Sequence, residues 1–229
     1  MVCRVIIIAV FSLLISCSAL AQTMQQWRDS LEVLNRQIAQ SPSDLELHLH
    51  KAAVNIELGE WEYAADEYTL VLAKDATNPA ARFFRAYTNT QLHRYDQALF
   101  DYAELLRVSP LHFEARLGHA YVQEKTGRRM EALDELNLMV EMFPDSASAY
   151  AARADLENTL HQTELALYDW ERAVQTDSLN ADYVQSHALL LLSLERGEEA
   201  RQVLDAAVAR GLPRGLFQPL YARIKRMKE

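Results

Sequence analysis

Seven histidines, two cysteines and 32 carboxylates are the side chains of this chain that could ligate a metal, attack a carbonyl or move a proton. Their spacing assembles none of these chemistries. His48 and His50 stand two apart, so on a helix they leave in different directions and cannot form the i, i+4 pair that grips zinc. His93, His112 and His161 fall at turns or repeat ends, where polar residues are ordinary surface. Adjacent carboxylates such as Asp134 with Glu135, or Glu198 with Glu199, do not face one another on a helix. There is no GxSxG elbow, no glycine loop to cradle phosphate and no nucleophile with an ordered base. The sequence therefore reads as a non-enzyme with no catalytic residue, metal site or cofactor.

What the chain does contain is a period. Ala52, Ala86, Ala120, Ala154 and Ala188 form one ladder of spacing 34, and Ala64, Ala98, Ala132, Ala166 and Ala200 form another. Four residues beyond each second-ladder alanine stands a large group: Tyr68, Tyr102, Leu136, Trp170 and Leu204. Three further on come Val71, Leu105, Met139, Ala173 and Ala207. Positions i, i+4 and i+7 share one helix face, so each set predicts a buried stripe. Breakers recur at the repeat ends (Asn78-Pro79, Pro110, Pro144, Gly211 with Pro213). Gly59, Gly127 and Gly197 fall where a first helix must turn into a second. Each unit predicts an antiparallel helical hairpin that buries its apolar face only by stacking on the next copy.

The order Arg85-Ala86, Tyr95-Asp96-Gln97-Ala98, Tyr102, Pro110, and again Ala120, Gly127, Ala132, Pro144, resembles the tetratricopeptide repeat family. The resemblance implies an all-α, right-handed α-solenoid of antiparallel helix pairs. Its five repeats would span 45–78, 79–112, 113–146, 147–180 and 181–213. Two features depart from the pattern. The position usually aromatic near the repeat start holds His48, Arg82, Arg116, Tyr150 and Val184, of which Tyr150 alone is a phenyl-type ring, and Leu212 stands where a proline is expected. Residues 22–44, with Trp27, Leu31, Leu34 and Ile38 at spacings of four, three and four, read as a capping half repeat. Residues 214–229 read as a basic capping helix, with Leu220 and Ile224 on one face and Arg223, Lys225, Arg226 and Lys228 in its last turns.

With the hairpin turn near position 15 or 16 of each repeat, the first alanine faces the bulky residue across the pair, small against large. The same reflection sets Lys51 against Glu67, Arg85 against Asp101, His119 against Glu135 and Arg153 against Asp169, while His187 meets Val203. A row of bases each matched by its own acid is a paired structural ladder and not a stripe for phosphates. The resemblance further implies that first helices line a concave groove for a partner segment. Carried onto this chain, it assigns Phe83, Tyr87, Gln91, Leu117, Tyr121 and Glu124 to that groove. Aromatics in an acidic frame suit an apolar or basic peptide segment. The lysines and asparagines of the family's carboxylate clamp are missing, which disfavours a chaperone tail as ligand.

The first 21 residues are of another kind. Arg4, the apolar run Val5 to Ile15 and the sequence Ala19-Leu20-Ala21 predict a secretory signal peptide. Leu14-Ile15-Ser16-Cys17 is also similar to a bacterial lipoprotein signal, in which Cys17 is lipidated. Either route leads to a Gram-negative envelope, as a periplasmic protein or as an outer-membrane lipoprotein facing the periplasm. Cys3 and Cys17 are the only cysteines, so the repeats carry neither disulfide nor thiol. Loss of the leader removes one charged residue, Arg4, and moves the net charge from −9 to −10. That acidity repels phosphate backbones and makes nucleic acid a poor partner. The expected function is a protein interaction scaffold of the cell envelope. The alternative is a membrane-anchored repeat lipoprotein of outer-membrane or pilus assembly.

Overall fold

The computed structural model describes residues 23–227, so Cys3, Cys17 and the predicted leader lie outside the described residues. Helix α1 covers 23–40, where Leu34 is buried and Trp27, Leu31 and Ile38 are half-buried on the same side. The chain divides into two compact units, Met1–Pro110 and Leu111–Glu229. In the first, α2 (Leu45–Glu57), α3 (Trp61–Lys74), α4 (Pro79–Gln91) and α5 (Tyr95–Val108) pack each on the next. In the second, α6 (Phe113–Lys125), α7 (Arg129–Met142), α8 (Ala147–Thr159), α9 (Thr163–Thr176), α10 (Ala181–Ser193) and α11 (Gly197–Ala209) do the same. A 3₁₀ turn (Arg214–Phe217) then leads to α12 (Gln218–Arg226). Among the described residues the fold is all-α.

The ladders explain why consecutive helices pack so closely. Of the ten alanines, nine are wholly buried and Ala120 is 2% exposed. Tyr68, Tyr102, Leu136, Trp170 and Leu204 are all buried, as are Val71, Leu105, Met139, Ala173 and Ala207. A methyl group opposite a large side chain lets two helices approach without leaving a void.

The starts of the first helices share a further register. Asp44, Asn78, His112, Ser146 and Asn180 are the N-caps of α2, α4, α6, α8 and α10, and each side chain accepts a hydrogen bond from a first-turn N–H. This satisfies a donor that would otherwise lack a partner. The second helices begin differently. Glu60, Arg94, Arg128, Gln162 and Arg196 make no side-chain cap, but each N–H donates to the carbonyl five residues back, at Asn55, Asn89, Gln123, Glu157 and Leu191. That tight turn needs one residue in the left-handed region just before the cap. Gly59 (φ 72°) and Gly127 (φ 81°) supply it in two repeats, and His93, His161 and Glu195 (φ 56°, 60° and 60°) in the others. The expectation that Gly197 makes this turn is corrected: Gly197 is the first residue of α11, and Glu195 carries the strained backbone.

A Cβ in the left-handed region costs about 1 kcal/mol, offset in part by the entropy that glycine adds to the unfolded chain. Glu195→Gly is therefore expected to raise the thermal midpoint by roughly 2 °C. Gly127→Ala, where a Cβ has nothing within 4 Å to strike, is expected to lower it by a similar amount through backbone strain alone. Parallel melts of the two variants check the opposite signs.

The chain's C-terminal elements close the last hairpin with apolar residues. Phe217 is wholly buried and Ile224 is 3% exposed, and α12 packs on α10 and α11. Phe217 had no counterpart in the repeat pattern and was not legible as a core residue.

Candidate functional site

The six residues assigned to the groove fall three to each unit. On α4, Phe83, Tyr87 and Gln91 are four apart and share a face. Phe83 is half-buried against Phe84 (ring centroids 5.1 Å apart) and Tyr102 (6.2 Å). Tyr87 is 37% exposed and meets Trp61 edge-on at 6.0 Å. Phe84 stacks on Tyr68 at 5.9 Å, and Gln91 is exposed. Trp61, Tyr68 and Tyr102 thus fix the rings of α4 from behind, and burial pushes the Tyr102 hydroxyl up to about 12. The outcome is a packed aromatic surface on which Phe84 and Tyr87 are the exposed rings. Trp61 was not part of the sequence expectation. Its only signal was an aromatic at the first position of α3.

On α6, Leu117, Tyr121 and Glu124 line a cleft of about 450 Å³ shared with α8. Its floor is apolar, from Leu117, Ala120, Leu136 and Leu156, and its far wall carries Asp155 and Asn158. Tyr121 is 48% exposed, and the Lys125 ammonium lies 4.8 Å from its ring centroid and 3.6 Å from Glu124. Partial burial raises the Asp155 carboxyl above its ordinary value, Glu124 adds to the shift and Lys125 opposes it. Glu124 therefore holds one cation at the mouth of an apolar cleft, and that cation also acts through space on the Asp155 carboxylate. Such a site accepts an apolar side chain flanked by a positive group, which would replace Lys125 as counter-ion.

Behind these faces lies the charge ladder. Lys51 reaches Glu67 at 2.7 Å, Arg85 grips Asp101 through two nitrogens at 2.7 Å, and Arg153 holds Asp169 at 2.6 and 2.9 Å. The fourth expected pair is corrected. His119 leaves its Nδ1 buried without a partner, and Glu135 is held instead by Arg116. The physical reason is reach, since a short, desolvated imidazole is favoured neutral, whereas Arg116 carries a permanent charge on a long stem. The same register explains the missing repeat-start aromatics. His48 and Arg82 also bond the facing acids Glu67 and Asp101, at 2.6 and 3.5 Å. A second basic row thus converges on the acids from 19 residues upstream, using positions that the sequence showed only as departures.

Among the described residues no group of three or more His, Cys, Asp or Glu is arranged to hold a metal ion, and no helix is long and apolar enough to cross a membrane.

Comparison with known proteins agrees with this geometry. The tetratricopeptide repeat family matches residues 90–147. No curated protein matches the chain. A tetratricopeptide repeat protein from Parabacteroides merdae superposes with a TM-score of 0.68 at 22% identity, over 89% of this chain and 80% of that one. MamA from Desulfovibrio magneticus RS-1 gives 0.63 at 18% identity, over 73% and 94%. YrrB, described as a TPR protein with an unusual peptide-binding site, gives 0.60 at 19% identity, over 86% and 98%. At these identities the likeness is one of fold.

Proposed function

We propose that this chain, built of tetratricopeptide repeats, is a non-catalytic scaffold that binds a segment of another protein on the face of its first helices, with the cleft between α6 and α8 as the anchor. The observation that carries the reading is the cleft itself: an apolar floor, a half-exposed tyrosine, and two carboxylates lining it with a single lysine. The peptide-binding site ascribed to the similarly folded YrrB supports a peptide ligand for this architecture.

The test is a selection of peptides from a random library against the purified protein. Enriched sequences are expected to place a large apolar residue beside Lys or Arg. Tyr121→Ala and Leu117→Ala should each weaken a selected peptide roughly tenfold, as expected at the centre of an interface. Glu124→Gln should act mainly on peptides that carry the basic residue. Unchanged affinity in all three variants would remove the cleft from the reading. Phe84→Ala and Tyr87→Ala then test whether the aromatic surface of α4 is a contact in its own right.

The place of action we infer is the bacterial envelope, on the strength of the leader-like residues 1–21. The Leu14-Ile15-Ser16-Cys17 sequence favours a second form of the same reading, a lipoprotein that serves an assembly at the outer membrane. The intact mass of the exported protein decides between them. Cleavage after Ala21 with no adduct gives the periplasmic form, and a diacylglyceryl adduct on Cys17 gives the anchored one.

A further inference from the structure

The second helices bear a cleft of their own where α9, α10 and α11 meet, about 350 Å³ in volume. Its meaning comes from what the same station holds one repeat earlier. There Arg153 on α8 gives two nitrogens to Asp169 on α9 and its third to the side-chain oxygen of Asn137 on α7 at 3.0 Å. In the first unit Arg85 does the same, with Asp101 as the acid and the Thr69 hydroxyl, at 3.3 Å, as the third acceptor. One guanidinium in each case ties three helices together.

At α9, α10 and α11 every member of this arrangement is changed. His187 stands in the arginine's place, Val203 in the acid's, and Glu171 at the station of Thr69 and Asn137. The third acceptor has thus become a full carboxylate while the built-in cation has gone. Glu171 is held only by Gln175 on its own helix, at 3.1 Å. His187 is 8% exposed, lines the cleft, and keeps a buried Nδ1 with no hydrogen-bond partner. Arg196 is already committed, to Glu199 at 2.6 Å and Glu164 at 3.6 Å, and leaves the cleft with an excess of negative charge. Tyr168, 57% exposed, also lines the cleft and is an aromatic partner of the type that favours a flat cation.

We infer that this cleft is a docking pocket for an arginine side chain of a partner protein, which supplies from outside the guanidinium that the fifth repeat lacks. Arginine suits it better than lysine because its planar fork can give one N–H to the Glu171 carboxylate and another to the His187 imidazole while Tyr168 lies alongside. Burial holds the His187 imidazole below its ordinary value, against the pull of Glu171, and so in the neutral form that can accept a hydrogen bond. The pocket lies among α9, α10 and α11, apart from the α6 and α8 cleft, and does not depend on that reading.

Titration of methylguanidinium into the full chain labelled with ¹⁵N-histidine tests it. The expected result is a saturable change at the His187 ring with a dissociation constant on the order of millimolar, as for a ligand of so few atoms. His119, also buried with an unpartnered Nδ1 but beside the occupied Arg116 and Glu135 pair, should not respond. Glu171→Gln should weaken the effect roughly fivefold. His187→Arg combined with Val203→Asp, which rebuilds the internal pair of the fourth repeat, should abolish binding of the peptide Ac-Ala-Arg-Ala-NH₂, read by calorimetry, while the protein stays folded. That peptide should bind the wild type more tightly than its lysine counterpart. A linear response without saturation, equal affinity in Glu171→Gln, or equal binding of the two peptides would overturn the assignment.

Discussion

Arg153→Ala is expected to destabilise the protein by about 3–5 kcal/mol, the range found when one partner of a buried ion pair is removed. Asp169 is 1% exposed and takes both of its close bonds from that one guanidinium, so truncation leaves a carboxylate in the interior with no cation in contact. Asn137 loses its donor as well. Arg85→Ala removes a guanidinium of matching geometry, yet its effect should be smaller, about 1–2 kcal/mol, because Arg82 remains 3.5 Å from Asp101 and can close on it. No second arginine stands at that position in the fourth repeat, where Tyr150 occupies it.

Urea unfolding followed by helical circular dichroism gives the ranking of the two variants. Hydrogen exchange should localise the Arg153 loss to α8 and α9, since neighbouring repeats stack pairwise. Replacing both partners, as Arg153→Met with Asp169→Leu, should recover most of the loss, because the penalty lies in the unpaired charge and not in a missing attraction. The fifth repeat already lives without the acid, with Val203 at that station. Equal losses for Arg85→Ala and Arg153→Ala would show that Arg82 does not share the load.

This ladder also marks how far the fold was legible beforehand. Alanines at a fixed period, with a large residue four places on, announce their burial because size and spacing are both written in the letters. The pairs of Lys51, Arg85 and Arg153 follow from reflecting one helix on the other. His119 failed because reflection gives proximity but not reach or charge, and Arg116, three residues earlier, had both. Left-handed turns were legible where glycine sits and hidden at His93, His161 and Glu195, since a strained φ leaves no trace in a side chain that is otherwise ordinary surface. Most opaque was the row Asn55, Asn89, Gln123, Glu157 and Leu191, at most 8% exposed at every step. Four of these five residues are polar and no periodicity of size marks them as buried, although the chain packs all five where the second helix folds back. Of the assigned groove residues, Tyr121 and Glu124 sit beside Lys125 as chemistry would want. The depth of the cleft around them came from Leu136 and Leu156, which the pattern marked only as core.

Glu157, in that row, should make the protein less stable as pH rises from acid toward neutrality. It is 4% exposed, its Oε2 is buried without a partner, and its Oε1 lies 3.8 Å from an Arg153 already bound to Asp169. Burial, with the Asp169 charge adding and Arg153 opposing, pushes its carboxyl from 4.5 up to about 7. Between those values the native protein keeps a proton that the unfolded chain has released, so the unfolding free energy falls with rising pH across this window. The destabilisation is absent below the unfolded value and complete above the native one, where it reaches about 3 kcal/mol at most. Glu157→Gln keeps the shape and removes the titration, and Gln123 shows that the station accepts a glutamine. The variant should match the wild type near pH 4.5 and exceed it by about 2–3 kcal/mol at pH 8, read from urea midpoints at both values. A difference that does not change with pH would mean that Glu157 is ionised throughout and that Arg153 serves both carboxylates. Arg153→Ala would then relieve nothing at low pH, whereas a protonated Glu157 leaves Asp169 as the sole buried charge that this arginine must hold.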